Sequence, residues 1–256
     1  MGFRKSIYKS LFVTPEKIGR KGENNIASQL RLIDLFGREG KILQNIYVPN
    51  EDGTTTEIDL LYITRKGIFV IESKNYSGYI FADESKTNWT STLYAGRNFL
   101  GTPHVEAHKF YNPIWQNDKH IRALKRYLNA NIQFFSIIVF SNRCEFKSFN
   151  VLTSNAHICQ LDFLPKVIKK LWQSYPYMLS DLEVDELYRR LLILTRITSE
   201  EKEVHVSQLK NKFSSTTICP LCKGKLVRRT AKTGKNAGHD FLGCSNYPSC
   251  RYTKNI

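Results

Sequence analysis

Glu72 and Lys74 stand two residues apart in the apolar run GIFVIESK, and Asp59 stands near the start of another, TEIDLLYIT. In an extended chain, side chains two apart share a face. A two-residue turn at Arg65-Lys66 sets Ile63 opposite Ile68, Leu61 opposite Val70, and Asp59 opposite Glu72. Opposed residues lie roughly 5 Å apart at Cβ, and like charges placed so repel. The repulsion ends when one carboxyl keeps its proton or a cation sits between the two. A hard divalent ion, Mg²⁺ or Mn²⁺, takes oxygen ligands. Such an ion polarises a phosphoryl oxygen and activates bound water. Lys74 would then orient the water or neutralise charge on phosphorus. This is the chemistry of metal-dependent phosphodiester hydrolysis. Read plainly, Glu72 and Lys74 are a weak surface pair. Against that reading, Leu60, Tyr62, Phe69 and Ile71 on one face and Leu61, Ile63, Ile68 and Val70 on the other are all apolar. Strands apolar on both faces belong in a sheet interior. Charges at their ends then line a crevice at the sheet edge.

A second set of chemical residues closes the chain. Cys219-x2-Cys222 and Cys244-x5-Cys250 are two cysteine pairs able to surround Zn²⁺ with four thiolates. His239 is a substitute ligand that four thiolates make unnecessary. So small a segment buries too little to fold alone, so metal binding would supply much of its folding energy. Lys225, Arg228, Arg229, Lys232, Lys235 and Arg251 offer phosphate contacts, and Phe241, Tyr247 and Tyr252 offer stacking for unpaired bases. At least one of those aromatics must instead pack the ribbon. Cys144 and Cys159 read as buried thiols.

The elements that hold these groups alternate between helix and strand. Thr14-Pro15 caps a helix to about Phe36. Strands follow at about 42–48, 57–64 and 67–74, with shorter ones near 79–82 and 88–93. Residues 112–128 read as a helix and 133–140 as a buried strand. Further helices are expected at 164–172 and 182–194, the second opened by a Ser180/Glu183 capping box, and a polar one at 200–213. This is an α/β plan, a mixed sheet covered on both faces. Trp89 and Trp115 read as core residues, and His120 as a helix-surface histidine in the basic run Lys119, Arg122, Lys125, Arg126. That run is a solvated face or a phosphate track. The domains expected are a core at 14–145, a helical extension at 146–213 and a ribbon at 214–256.

The chain of 256 residues carries a net charge of +15. From Ser214 onward the net charge is +7, leaving +8 for the longer body. Such basicity makes polyanions the first partners to consider. No run approaches a membrane span. The start MGFRKSIYKSLF lacks the long apolar region of a signal peptide. A cytoplasmic protein is the expectation.

Four stretches in order, GRKGENNIASQL, TEIDLLYI, GIFVIESKNYSG and NPIWQNDKHIRAL, resemble the NERD (nuclease-related) domain of the PD-(D/E)xK nuclease superfamily. The resemblance covers about residues 19–140. It implies a restriction-endonuclease-like mixed sheet flanked by helices. By position it implies Asp59 and Glu72 as metal-binding acids and Lys74 as the catalytic lysine. It adds Glu23 on the first helix as a further acid, and Gln116 as a glutamine that supports site or substrate. The tail CPLCKGKLV…FLGCSNYPSCRYT resembles the C-terminal zinc finger of type IA topoisomerases, with a somewhat extended spacer. That resemblance implies binding to DNA, single-stranded or structured. The expectation is a metal-dependent DNA nuclease using Mg²⁺ (or Mn²⁺) and carrying a Zn²⁺ ribbon. The alternative is a DNA-binding or processing adaptor with little or no activity.

Overall fold

A computed structural model describes residues 15–34, 39–97, 103–152, 155–196, 203–204, 207, 216–232 and 237–255. In chain order its elements are α1 (Pro15–Asp34), β1 (Gly40–Pro49), β2 (Thr55–Thr64), β3 (Gly67–Lys74), β4 (Gly78–Asp83), β5 (Asn88–Arg97) and β6 (Pro103–Tyr111). Then follow α2 (Pro113–Leu128), β7 (Phe134–Phe140), β8 (Cys144–Asn150), β9 (Ala156–Gln160), α3 (Leu164–Ser174) and α4 (Asp181–Leu192). Strands β10 (Leu226–Thr230), β11 (Asp240–Cys244) and β12 (Thr253–Asn255) form a separate small sheet. Thr14, most of 200–213, and Lys235 lie outside the described residues.

The central sheet has the order β1-β2-β3-β7-β9. Its first three strands are an antiparallel meander, and β3, β7 and β9 run parallel. The α2 helix makes the crossover from the β3 region to β7. The two-faced apolar pattern of β2 and β3 divides as the sequence predicts. Leu60, Tyr62, Phe69 and Ile71 pack with Ile26, Leu30 and Ile33 of α1 and with Leu164, Ile168 and Leu171 of α3. Leu61, Ile63, Ile68 and Val70 pack with Ala123, Leu124 and Leu128 of α2 and with Val184, Leu187 and Leu191 of α4. The capping box that opens α4 is present, Ser180 N–H donating to Glu183 and Glu183 N–H donating to the Ser180 hydroxyl. The helices after residue 146 therefore cover both faces of the sheet.

One feature was not expected. β4 and β5 do not extend the central sheet; with β6 and β8 they build a second sheet of order β6-β5-β4-β8. Its inner face, Ile80, Ala82, Trp89 and Phe110, packs on Ile138 and Phe140 beyond the last turn of the meander. Gly78 makes the entry into it at φ 81°, where an added Cβ would run into the Thr92 carbonyl. The last residue of β6, Tyr111, reaches a cavity over Asp59. Cys144 and Cys159 are buried, and burial pushes their thiols up to about 11 and about 12. Among the described residues, no helix is long and apolar enough to cross a membrane.

Candidate functional site

The β2–β3 hairpin has the expected register, with Ile63 opposite Ile68 and Leu61 opposite Val70. The ladder stops at Leu60–Ile71, one pair short of Asp59 and Glu72. There Asp59 Oδ2 accepts the Ser73 backbone N–H at 2.8 Å, while β3 continues its pairing with β7 through Lys74. Across Asp59 on β1, Asn45 takes the left-handed conformation at φ 54° and is missing from the β1–β2 ladder. Both ladders thus relax at Asp59, and its carboxyl takes the place of a strand partner.

Glu72 is 2% exposed and Lys74 13%. The Lys74 ammonium donates to Glu72 Oε1 at 2.6 Å and to Gln116 Oε1 at 3.0 Å. Gln116 comes from the first turns of α2, whose N-cap is Asn112, its side chain accepting from the Ile114 N–H. One residue on, Asn117 is buried, and its amide donates to the Val70 carbonyl and the Ser136 hydroxyl, each at 2.9 Å. That contact bolts α2 to β3 and β7 beside the acids.

His120 is not on the helix surface as expected. It is 4% exposed, because Pro113, Asn117, His120, Leu124 and Leu128 form the buried stripe of α2. Its Nδ1 shares a 2.9 Å hydrogen bond with the Thr56 hydroxyl. Its Nε2 lies 3.3 Å from Glu72 Oε2, without the alignment of a hydrogen bond. The spacing 113-117-120-124-128 carries this signal, but the surrounding lysines and arginines mask it.

The electrostatics separate the two acids. Burial raises the Glu72 carboxyl, but the Lys74 ammonium and then the His120 ring outweigh it and hold the group below the carboxylate range. Burial, and then the charge on Glu72, push Asp59 well above its ordinary value. Burial opposes the charge on Lys74, but Glu72 and Asp59 keep its ammonium above the ordinary value. Glu23, on α1, borders the same acidic ground: burial and then Glu57 raise its carboxyl, and Asn45 donates a hydrogen bond to it. Tyr47 donates to Glu57 at 2.6 Å. Asn45, Glu57 and Thr56 carried no sequence signal for the site.

A divalent cation fits here on two observations. Glu72 Oε2 is buried without a hydrogen-bond partner. Burial and the charge on Glu72 push the Asp59 carboxyl well above its ordinary value, a repulsion that a cation shared by the two acids relieves. Two carboxylates suffice for Mg²⁺, which retains several waters. A cavity of about 550 Å³ opens over Asp59, with Gln116, His120, Tyr111, Lys119, Arg122 and Arg126 in its walls. Lys119 lies 4.6 Å over the Tyr111 ring, Arg122 pairs with Asp118, and Arg126 with Glu51 at 3.5 Å. Lys125 instead lies over Phe134, away from the cavity.

In the ribbon, the ligand atoms of Cys219, Cys222, Cys244 and Cys250 all lie within 4.8 Å of one another. The Cys219–Cys250 and Cys222–Cys244 sulfurs are 3.6 and 3.3 Å apart. Thiolates each about 2.3 Å from a tetrahedral Zn²⁺ stand at comparable separations. Asn246 donates its N–H to Cys244 Sγ and its side-chain amide to Cys222 Sγ. Gly224 leaves room for that amide, since a Cβ there would come within 2.8 Å of it. These observations fit a zinc site. Leu226, Leu242, Leu221 and Tyr252 pack around the cysteines, so Tyr252 is the aromatic that fills the ribbon. Cross-strand register puts Arg229 opposite Phe241 on the other face, and the Arg229 guanidinium lies 5.9 Å over exposed Tyr247. Lys225, Lys232 and Arg251 are exposed. Arg228 is tied to Asp240 at 2.7 Å.

Residues 18–141 match the family described as Nuclease-related domain (NERD). Residues 216–256 match the family described as Topoisomerase DNA binding C4 zinc finger. An uncharacterized protein of Bacillus anthracis is 30% identical over 201 residues, 78% of this chain and 87% of that protein. DNA topoisomerase 1 of Archaeoglobus fulgidus is 39% identical over 71 residues, 27% of this chain and 10% of the topoisomerase. No solved structure matches. The chain belongs to the NERD, nuclease-related family, and it joins that domain to a topoisomerase-type C4 zinc ribbon.

Proposed function

We propose that this protein is a divalent-metal-dependent nuclease acting on DNA, brought to its substrate by the zinc ribbon. The observation that carries this reading is the meeting of Asp59, Glu72 and Lys74 at one end of β3, where Asp59 and Gln116 border a cavity whose walls mix Lys119, Arg122 and Arg126 with Glu51, Asp52 and Glu57. Asp59 and Glu72 would hold the metal, with Glu23 assisting from α1. The bound ion would supply Lewis-acid activation of the phosphodiester and an acidified water. Lys74, released from part of its contact with Glu72, places a positive charge where the phosphate gains negative charge. Gln116 holds the ammonium in that position from the α2 side. His120, fixed by Thr56, keeps the Glu72 carboxylate from turning away. Lys119, Arg122 and Arg126 seat the flanking phosphates. On the ribbon, Lys225, Arg229, Lys232 and Arg251 meet phosphates, and Phe241 and Tyr247 flank Arg229 as a stacking surface.

The alternative, a DNA-binding adaptor of little activity, draws on one contrast. Among the described residues, only the cysteines form a cluster of three or more converging ligand atoms. The deciding experiment offers labelled single-stranded, duplex and branched DNA to the purified protein with Mg²⁺ or Mn²⁺, beside Asp59→Ala and Lys74→Ala. Metal-dependent cutting lost in both variants supports the nuclease. Cutting that survives either substitution rules out the site, and binding without cutting on every substrate favours the adaptor.

A further inference from the structure

The cavity over Asp59 is not built by the nuclease-related domain alone. Pro220, Leu221 and Lys223, in the turn between the first two zinc-binding cysteines and Gly224, complete its wall. Lys223 Nζ lies 3.0 Å from Asp52 Oδ2, at the tip of the β1–β2 hairpin. Both partners are held in place. Asp52 accepts from the Thr54 N–H at 3.2 Å and from the Thr54 hydroxyl at 2.5 Å. Lys223 sits at φ 59° with its N–H on the Cys219 carbonyl at 3.0 Å, so its backbone is set by the zinc-binding turn itself. Pro220 is buried at the same seam. The neighbouring residue of the hairpin tip, Glu51, is bound in turn by Arg126 of α2. Helix, hairpin tip and zinc turn are thus linked around one opening.

We infer that the zinc turn is a wall of the catalytic cleft, latched by Lys223–Asp52, and that the cleft so closed admits a single DNA strand and excludes the duplex. This rests on the nuclease reading only for what happens to the strand inside. The cleft, about 550 Å³ and open to solvent on one side, has the size of a small-ligand pocket. It has room for a nucleotide unit of one strand, whereas a duplex must reach Asp59 past the hairpin tip, α2 and the zinc turn together. Lys119, Arg122 and Arg126 of α2 line the cleft opposite the acids Glu51, Asp52 and Glu57, so a phosphate chain is drawn to the helix side of the opening. The ribbon then does more than bring DNA near: it decides which form of DNA reaches the acids.

The test uses the full zinc-loaded chain with Lys223→Glu, Asp52→Lys, and the two together, which restores the pair with its charges exchanged. Two readouts are taken without Mg²⁺: hydrogen exchange at residues 50–59, and the ratio of duplex to single-strand dissociation constants for one DNA sequence. Lys223→Glu is expected to speed exchange at the hairpin tip. It should also narrow the preference for single strands by up to about fivefold, the ceiling for an exposed ion pair. The exchanged pair should return both toward the wild-type values. An unchanged ratio in Lys223→Glu overturns the inference. So does a change that the exchanged pair fails to reverse, since charge alone would then explain it. Absence of cleavage on every DNA, with this pattern intact, counts against the nuclease reading and leaves the latch standing.

Discussion

The molecule has one place built for a cation, the ribbon, and one proposed for a cation, the end of β3, and they are prepared in opposite ways. In the ribbon, four sulfurs converge within 4.8 Å, and the groups that engage them from outside, the Asn246 amides, are neutral donors. At the end of β3, the carboxylates are already engaged, Asp59 by a backbone N–H and Glu72 by an ammonium. The difference follows from what each region must do to fold. The ribbon has almost no core, so the metal must be its core. The nuclease-related domain has a core on each face of its sheet, so its packing does not depend on a metal and can hold charged groups at the sheet end. A structural metal site closes around its ion, whereas a working site keeps partners that can be exchanged.

The sharpest way to break this contrast is to remove a thiolate. Cys219→Ser should unfold the ribbon, since structural zinc carries about 10 kcal/mol or more of apparent folding free energy in small domains. The main melting transition of the α/β body should survive. Calorimetry with zinc analysis checks both, and loss of the main transition would show that the two regions fold as one.

Next in size is Lys74→Ala. It leaves Glu72 buried beside only His120, and breaking a buried pair from one side costs about 3–5 kcal/mol. Urea unfolding should show that loss, and Lys74→Ala with Glu72→Gln should recover part of it.

A smaller effect concerns pH. Asp59 binds its proton more tightly in the folded chain, so it weakens folding as pH rises from the ordinary carboxylate value through the raised one. Glu72 has the reverse sign. Its contribution is present above the ordinary value and is lost as pH falls through the depressed one. Saturating Mg²⁺ should abolish the loss due to Asp59, and Asp59→Asn should remove it without metal. Melting temperature against pH, with and without Mg²⁺, separates the two. The smallest effect is expected of Ser180→Ala, remote from both sites. It should cost about 1 kcal/mol through the lost cap and leave metal and DNA binding unchanged.

Local rules made part of this site legible. The two-residue turn at Arg65-Lys66 fixes the hairpin register, and the register alone brings Asp59 toward Glu72 and Lys74. The cysteine spacing fixes the ribbon. What local rules miss is what distant segments supply. β6 is a polar strand, PHVEAHKFY, whose alternation is too weak to mark it, and without β6 the second sheet is not visible. His120 was hidden because charged neighbours on the outer face of α2 dominate its stretch. Asp52 and Lys223 each read as ordinary surface charges until the fold brings them together.

Asn117 has a consequence for how this end of the sheet can respond to change. Its amide grips the Val70 carbonyl and the Ser136 hydroxyl from the middle of α2's buried stripe. Gln116 and His120 therefore cannot slide or rotate separately from the strand that carries Glu72. A substitution at Asn117 would loosen Gln116, His120 and the end of β3 together rather than one at a time.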